Sequence, residues 1–227
     1  MKQHLDEILR RVTRSLVVIS VVFFSCFYFS NQIYDFIAGP ILAKLPSGTK
    51  LIATQVTAPF MVPMQLSFLC TLLMCAPYLL YQIWMFVKPG LYQHERRNIV
   101  PIIITSCLLF YSGIVFALLI ICPVALKFFT TSGPRNIQIM LDMGNFVDFI
   151  VTVSFASGLA FQIPIVTNLL IRSGVITKQH LAAKRRHVIV LALVLGMLLA
   201  PPDVISQILL AVPMWGLFEL GLLFSNH

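Results

Sequence analysis

Six apolar blocks, separated alternately by basic and by nearly charge-free connections, constrain this chain more than any other feature. A chain of 227 residues that is 59% hydrophobic and 11% charged cannot hide its apolar surface inside a globule of this size. The mean hydropathy of +0.92 points the same way. The class that remains is an all-α integral membrane protein, a single six-span domain over residues 1–227. The blocks run Ser15 to Phe36, Gln65 to Val87, Asn98 to Leu126, Phe146 to Ile171, His187 to Ala200 and Val204 to Phe224. The segment before the first block lacks a small-residue cleavage pattern, so the first block is expected to stay as an uncleaved helix.

The formal charge of +8 would suggest nucleic acid in a soluble domain, but the basic residues sit in short connections beside apolar spans. Topology explains them, and no nucleic-acid partner is expected. One side collects Lys2, Arg10, Arg11, Arg14, Lys88, Arg96, Arg97, Arg172, Lys178, Lys184, Arg185 and Arg186. The other side holds only Lys44, Lys50, Lys127 and Arg135. Positive charge favours the cytoplasmic side, which predicts both termini there. The five cysteines fall in or at the edges of apolar blocks without C-x-x-C spacing and read as small core residues; no metal or cofactor is expected.

Prolines shape the expected architecture. Pro40, Pro46, Pro59 and Pro63 in the connection Ile37 to Met64 should stop the flanking helices from extending and build an ordered outer cap. Pro77, Pro164 and Pro213 lie inside spans two, four and six, where each removes a helical hydrogen bond. Three bent helices favour a concave cup, although each kink taken singly fits a packing role equally. The fifth block offers about 21 Å of helix at 1.5 Å per residue, against a hydrocarbon core of about 30 Å. Only Pro201, Pro202 and Asp203 separate it from the sixth, so the two form a short hairpin that either thins the bilayer or lets flanking residues snorkel.

No catalytic constellation emerges. His94-Glu95-Arg96-Arg97-Asn98 begins like the zinc motif H-E-x-x-H but has Asn98 where the second histidine must stand. Ser112-Gly113 and Ser157-Gly158 lack the flanking G-x-S-x-G and suit close helix packing. A small-solute transporter would show paired repeats or a midplane charge, and neither is seen. Among the eight carboxylates, Glu7 lies on a turn where Leu5, Ile8, Leu9 and Val12 recur at helical spacing, as in an amphipathic turn at the inner surface. Glu95 precedes Arg96 and Arg97, and read alone it fits a solvated charge balancing its neighbours. Gln162 near the middle of span four marks either an interhelical hydrogen bond or the polar floor of a concavity. Glu219 in the inner third of span six reads as structural.

Phe86-Val-Lys-Pro-Gly-Leu-Tyr-Gln-His-Glu-Arg-Arg97 strongly resembles the loop after the second span in the TatC family, the multi-spanning subunits of twin-arginine protein translocases. His4-Leu5-Asp6-Glu7 resembles that family's H-L-x-E motif, and Gly39-Pro40 falls where its first outer loop has a proline. Ala200-Pro-Pro-Asp203 resembles its T-P-P-D turn, and Phe218-Glu219-Leu-Gly221 its F-E-x-G. The resemblance covers essentially the whole chain. Three positions depart from it: Leu9 stands where the pattern E-L-R-x-R has arginine, Gln162 where many relatives carry glutamate, and Ala200 where the turn has threonine.

The resemblance implies a non-enzymatic subunit of the bacterial inner membrane that recognises signal peptides bearing consecutive arginines and supports export of folded proteins by the proton-motive force. Carried over by position, Glu7 and Glu95 would receive the two guanidiniums, with Leu5, Phe86 and Arg96 beside them. A guanidinium is a planar fork of donors suited to a carboxylate, whereas lysine acts as a point charge. Phe86 and the region of Gln162 would line the groove for the apolar part of the signal. TatA and TatB, single-span partners, would dock against the last two helices at Met197, Leu198 and Gln207. A homo-oligomer within the complex is implied, surrounded by membrane lipid, and Pro40, Pro201, Pro202 and Asp203 carry structural roles.

Overall fold

The structure, a computed structural model, describes residues 2–42, 50–87, 99–131, 140–172, 174, 176–199 and 204–224, with backbone only for residues 2–8 and 198–199 among others. The predicted Glu95, Arg96, Pro201, Pro202 and Asp203 lie outside the described residues, as do the side chains of Leu5, Glu7 and Leu198. What is described is helical apart from two three-residue strands and the short turns and connections between elements.

Helix α1 (Lys2–Tyr28) begins earlier than expected. The predicted amphipathic turn around Glu7 is continuous with the first span, because nothing between Lys2 and Ser15 breaks a helix. After one tight turn, where Phe29 N–H donates to Cys26 O at 3.0 Å, α2 (Ser30–Leu42) follows. Pro40 sits inside α2, and Pro59 and Pro63 sit inside α3 (Ala58–Val87), so these three prolines do not stop the helices as expected. Pro59 falls in the first turn, where its missing N–H had no helical partner anyway. Pro40 and Pro63 each remove only one bond from a helix that continues past them.

Pro77 shows how a spanning helix tolerates a proline. It leaves the carbonyl of Leu73 without its helical donor, and the Tyr111 hydroxyl, from α4 (Ile99–Phe116), donates to that oxygen at 2.8 Å. Beyond α4 the same span passes through a π-helical segment (Ala117–Ile121) into α5 (Cys122–Thr131). The wider register, with Cys122 N–H donating to Ala117 O, stands directly before Pro123, which has no N–H to give Leu119. Neither the bulge nor the extension to Thr131 was expected.

The fourth span divides into α6 (Met143–Ala160) and α7 (Ile163–Arg172), interrupted at Phe161 and Gln162. Pro164 accounts for the interruption, since it cannot donate to Ala160 O and disfavours helix at the residue before it. A short helix α8 (Lys178–Ala183), capped by Thr177 Oγ accepting from His180 N–H at 3.3 Å, leads to α9 (Arg185–Leu199) and α10 (Val204–Phe224). Among the described residues four helices are long and apolar enough to cross a membrane, within α1, α3, α4–α5 and α6–α7. The fifteen described residues of α9 reach about 22 Å.

Helix α3 is the spine, packed by α1, α2, α4 and α6. Val62, Leu66 and Leu69 of α3 pack against Val147, Ile150 and Val153 of α6, with Ala117, Ile121 and Cys122 closing the cluster. In lipid this contact is held by packing and dispersion rather than by release from water. The small residues act as expected: a Cβ on Gly113 would stand 2.7 Å from the Ser157 carbonyl oxygen, and Ser157 Oγ donates to Gly113 O at 2.8 Å. All five cysteines are free, with Cys26, Cys75 and Cys122 buried.

At the end of the core where α3 begins, β1 (Lys50–Ile52) pairs in parallel with β2 (Met140–Asp142), tying the first long connection to the second. Asp142 is the clamp. Its Oδ1 accepts from Thr54 N–H at 3.1 Å and Thr54 Oγ1 at 2.5 Å, and its Oδ2 caps α6 at Asn145 N–H, 3.0 Å away. The Thr54 hydroxyl, then the Asn145 and Thr54 amides, hold its carboxyl below the ordinary value of 3.8.

Candidate functional site

Toward the opposite end of the bundle stand the predicted residues Phe86 and Gln162, beside a polar cluster around Ser106. Three helices meet there through Ser106 of α4. The Trp84 indole of α3 donates to Ser106 Oγ at 2.8 Å, and Gln162 Nε2, at the break between α6 and α7, donates to Ser106 O at 2.8 Å. Of the two readings of Gln162, the structure shows the interhelical bond. Arg11 of α1 donates to Gln82 Oε1 of α3 at 3.0 Å, one turn before Phe86, which is half-exposed near the end of α3. Leu9, where the family pattern has arginine, is exposed at 62%, and its backbone carbonyl accepts from the Thr13 hydroxyl at 2.8 Å.

The F-E-x-G segment resolves into three contacts on three faces of one helical turn. Phe218 is buried at 4% exposure. Glu219 accepts from Arg185 in a two-pronged pair, Nε–Oε1 at 2.8 Å and Nη2–Oε2 at 2.9 Å, joining α9 to α10. Gly221 lets α10 approach α7, since a Cβ there would stand 2.9 Å from Pro164 Cα. Glu219 thus has a named partner on the neighbouring helix.

On the α9–α10 hairpin, Gln207 Nε2 donates to Leu193 O at 3.0 Å, so this predicted contact residue also braces the hairpin. Gly196 permits the approach: a Cβ there would lie 3.0 Å from Gln207 O. Met197 has 65% of its surface exposed. Val190, Leu191 and Val194 are likewise exposed along α9.

A groove of about 690 Å³ opens between α4, α7 and α10, lined by apolar side chains together with Thr105, Ser112, Asn168 and Arg172. Sequence reasoning missed this groove, the Trp84–Ser106 bond, the Arg11–Gln82 bond and the partner of Glu219. Each joins residues far apart in the chain, and only the polar identity of Ser106 and Gln82 within apolar blocks offered a signal. Among the described residues no group of three or more His, Cys, Asp or Glu side chains is placed to hold a metal ion.

The fold and these contacts define a multi-span helical membrane protein whose polar side chains brace helix against helix. Comparison with known proteins narrows the class: the family model described as Sec-independent protein translocase protein (TatC) matches residues 3–213. The chain belongs to the TatC family, a family of translocase components and not of enzymes. It is 41% identical to the Sec-independent protein translocase protein TatC of Escherichia coli K12 over 98% of this chain and 86% of that one. It is 44% identical to the Haemophilus influenzae protein of the same name, over 98% and 87%. A crystal structure of a twin arginine translocase receptor, TatC, superposes with TM-score 0.88 at 34% identity, covering 98% of this chain and 97% of that one.

Proposed function

We propose that this chain is the subunit that receives twin-arginine signal peptides and scaffolds TatA and TatB for proton-motive-force-driven export of folded proteins. In this reading it crosses the bacterial inner membrane six times as one domain, with both termini cytoplasmic and the bent helices forming a cup. The observation that carries it is the family match over residues 3–213, which spans both acid-bearing motifs, Glu7 and Glu95. The basic bias supports the orientation: every connection that would face the cytoplasm is rich in Lys and Arg.

The chemistry asked of the two acids is simple. Two guanidinium forks need two carboxylates, and Glu7 and Glu95 take one each, with Leu5 and Arg96 flanking them. The apolar part of the signal then runs along α3 past the exposed Phe86. Gln162, engaged with Ser106, contributes rigidity and carries no ionisable proton. TatA and TatB dock on the α9–α10 face at Met197, Leu198 and Gln207. The short α9 favours partners with short apolar helices, because mismatch costs a fraction of a kcal/mol per Å. Several copies assemble in the complex.

A signal peptide with a photoreactive group beside its arginine pair tests the reading. It should label the segment around Glu95, and Glu7→Gln or Glu95→Gln should weaken labelling by about ten-fold, the worth of a charge-assisted hydrogen bond. Replacing both arginines by lysine should weaken it as well. Equal labelling by the arginine and lysine peptides would remove the recognition claim.

A further inference from the structure

Arg172 closes α7 at the very end of the fourth span and makes no ion pair with any described residue. It stands at one end of the groove between α4, α7 and α10, whose walls are Ile102 and Leu109, Phe161 and Ile165, and Leu217 and Leu220. From Phe161 to Arg172 the groove follows about 16 Å of helix at 1.5 Å per residue. If the fourth span crosses the bilayer, the groove becomes an apolar channel beside the lipid tails, with one cation at the end where the span meets the headgroups. One turn deeper, Asn168 lines the same groove, and its Oδ1 is buried without a hydrogen-bond partner.

We propose that this groove seats one acyl chain of an anionic phospholipid, with Arg172 holding the phosphate. The guanidinium fork matches a phosphate's oxygens in geometry and charge. Asn168 lies where the glycerol ester of such a lipid would fall, and its amide can turn to present its N–H to an ester carbonyl. The volume of about 690 Å³ is that of a site for a single small amphiphile. Charge separates this occupant from its rival. A signal peptide brings arginines, which Arg172 repels, whereas a phosphate is drawn to it. The proposal stands apart from the signal-peptide reading and does not depend on it.

The test uses the full chain in vesicles of phosphatidylcholine and phosphatidylglycerol, doped with trace phosphatidylglycerol or phosphatidylcholine that carries the same photoreactive group in mid-chain. The anionic probe should label the peptides covering 101–112 and 161–172 about five-fold more than the zwitterionic one, the preference expected of one basic residue near the surface. Arg172→Gln should bring the two probes to parity, and Arg172→Lys should keep the preference. Leu109→Trp, which fills the groove, should abolish labelling there while labelling of α1 stays unchanged and the thermal midpoint confirms a folded protein. Equal labelling of the unaltered protein by both probes would overturn the proposal, as would a preference that survives Arg172→Gln. Labelling of the same peptides by a twin-arginine signal that displaces the lipid irrespective of Arg172 would assign the groove to the peptide and overturn it too.

Discussion

The α3–α4–α6 core and the α9–α10 hairpin are both helix packings in lipid, yet they are held differently. In the core, side chains interlock over the whole contact: Leu66, Val147, Ile150 and Val153 are almost fully buried, and Gly113 meets the Ser157 backbone directly. In the hairpin only Ala192 and Gly196 are buried among the described residues of α9, Ala192 against Ala211 and Met214 of α10, and the two helices are braced by the Arg185–Glu219 pair and the Gln207–Leu193 bond. Without a hydrophobic drive between helices, stability follows from packing quality, so the core should be rigid and the hairpin adjustable. That division would suit the proposed scaffold, with a fixed core and an adjustable face for partner helices.

Substitutions at matched glycines should give the largest contrast. Gly113→Ala drives a methyl into the Ser157 carbonyl and should cost about 1–3 kcal/mol, read as a lower thermal midpoint in detergent. Gly196→Ala meets Gln207 O at the looser 3.0 Å, and the gain in helix propensity of about 1 kcal/mol should offset the strain. Equal losses at both sites would erase the distinction between core and hairpin.

A smaller effect is expected from Glu219→Gln. The pair is partly exposed, at 54% for Arg185 and 24% for Glu219, so its loss should cost about 0.5–1 kcal/mol. Faster amide exchange should be confined to α9 and α10, Arg185→Gln should match it, and the double variant should add nothing further.

The smallest effect concerns the strand end. Because Asp142 has its folded pKa depressed, the stability it contributes is present above the ordinary carboxylate value and is lost as pH falls through the lower folded value. Exchange of the Thr54 and Asn145 amides should stay slow from neutrality down to that ordinary value of 3.8 and rise only below it. A transition near neutral pH would contradict the clamp.

Apolar blocks and charge bias made the membrane class legible, because composition at this extreme admits few folds. The shortness of the fifth apolar block was legible too, since Arg186 and Pro201 bound it in the sequence. Helix ends around the prolines were not: Pro40, Pro59 and Pro63 look like breakers in sequence, yet Pro59 sits at a helix start with no bond to lose, and beside Pro77 the Tyr111 hydroxyl takes up the Leu73 carbonyl that this proline leaves. Contacts such as Arg185 with Glu219 stayed hidden because the fold, not the local sequence, brings the partners together. The family resemblance supplied the proposal that physical reading alone left open, namely that Glu95 does more than balance Arg96 and Arg97.

The central claim is that Glu7 and Glu95 face one peptide. Spin labels at these two positions, on a cysteine-free background in lipid vesicles, measure it directly by their dipolar coupling. The account predicts a single separation that a few extended residues can bridge, at about 3.5 Å each, shortened or sharpened when a twin-arginine peptide is added. Labels on opposite sides of the bilayer, or a separation unchanged by the peptide and too long for such a segment, would contradict it.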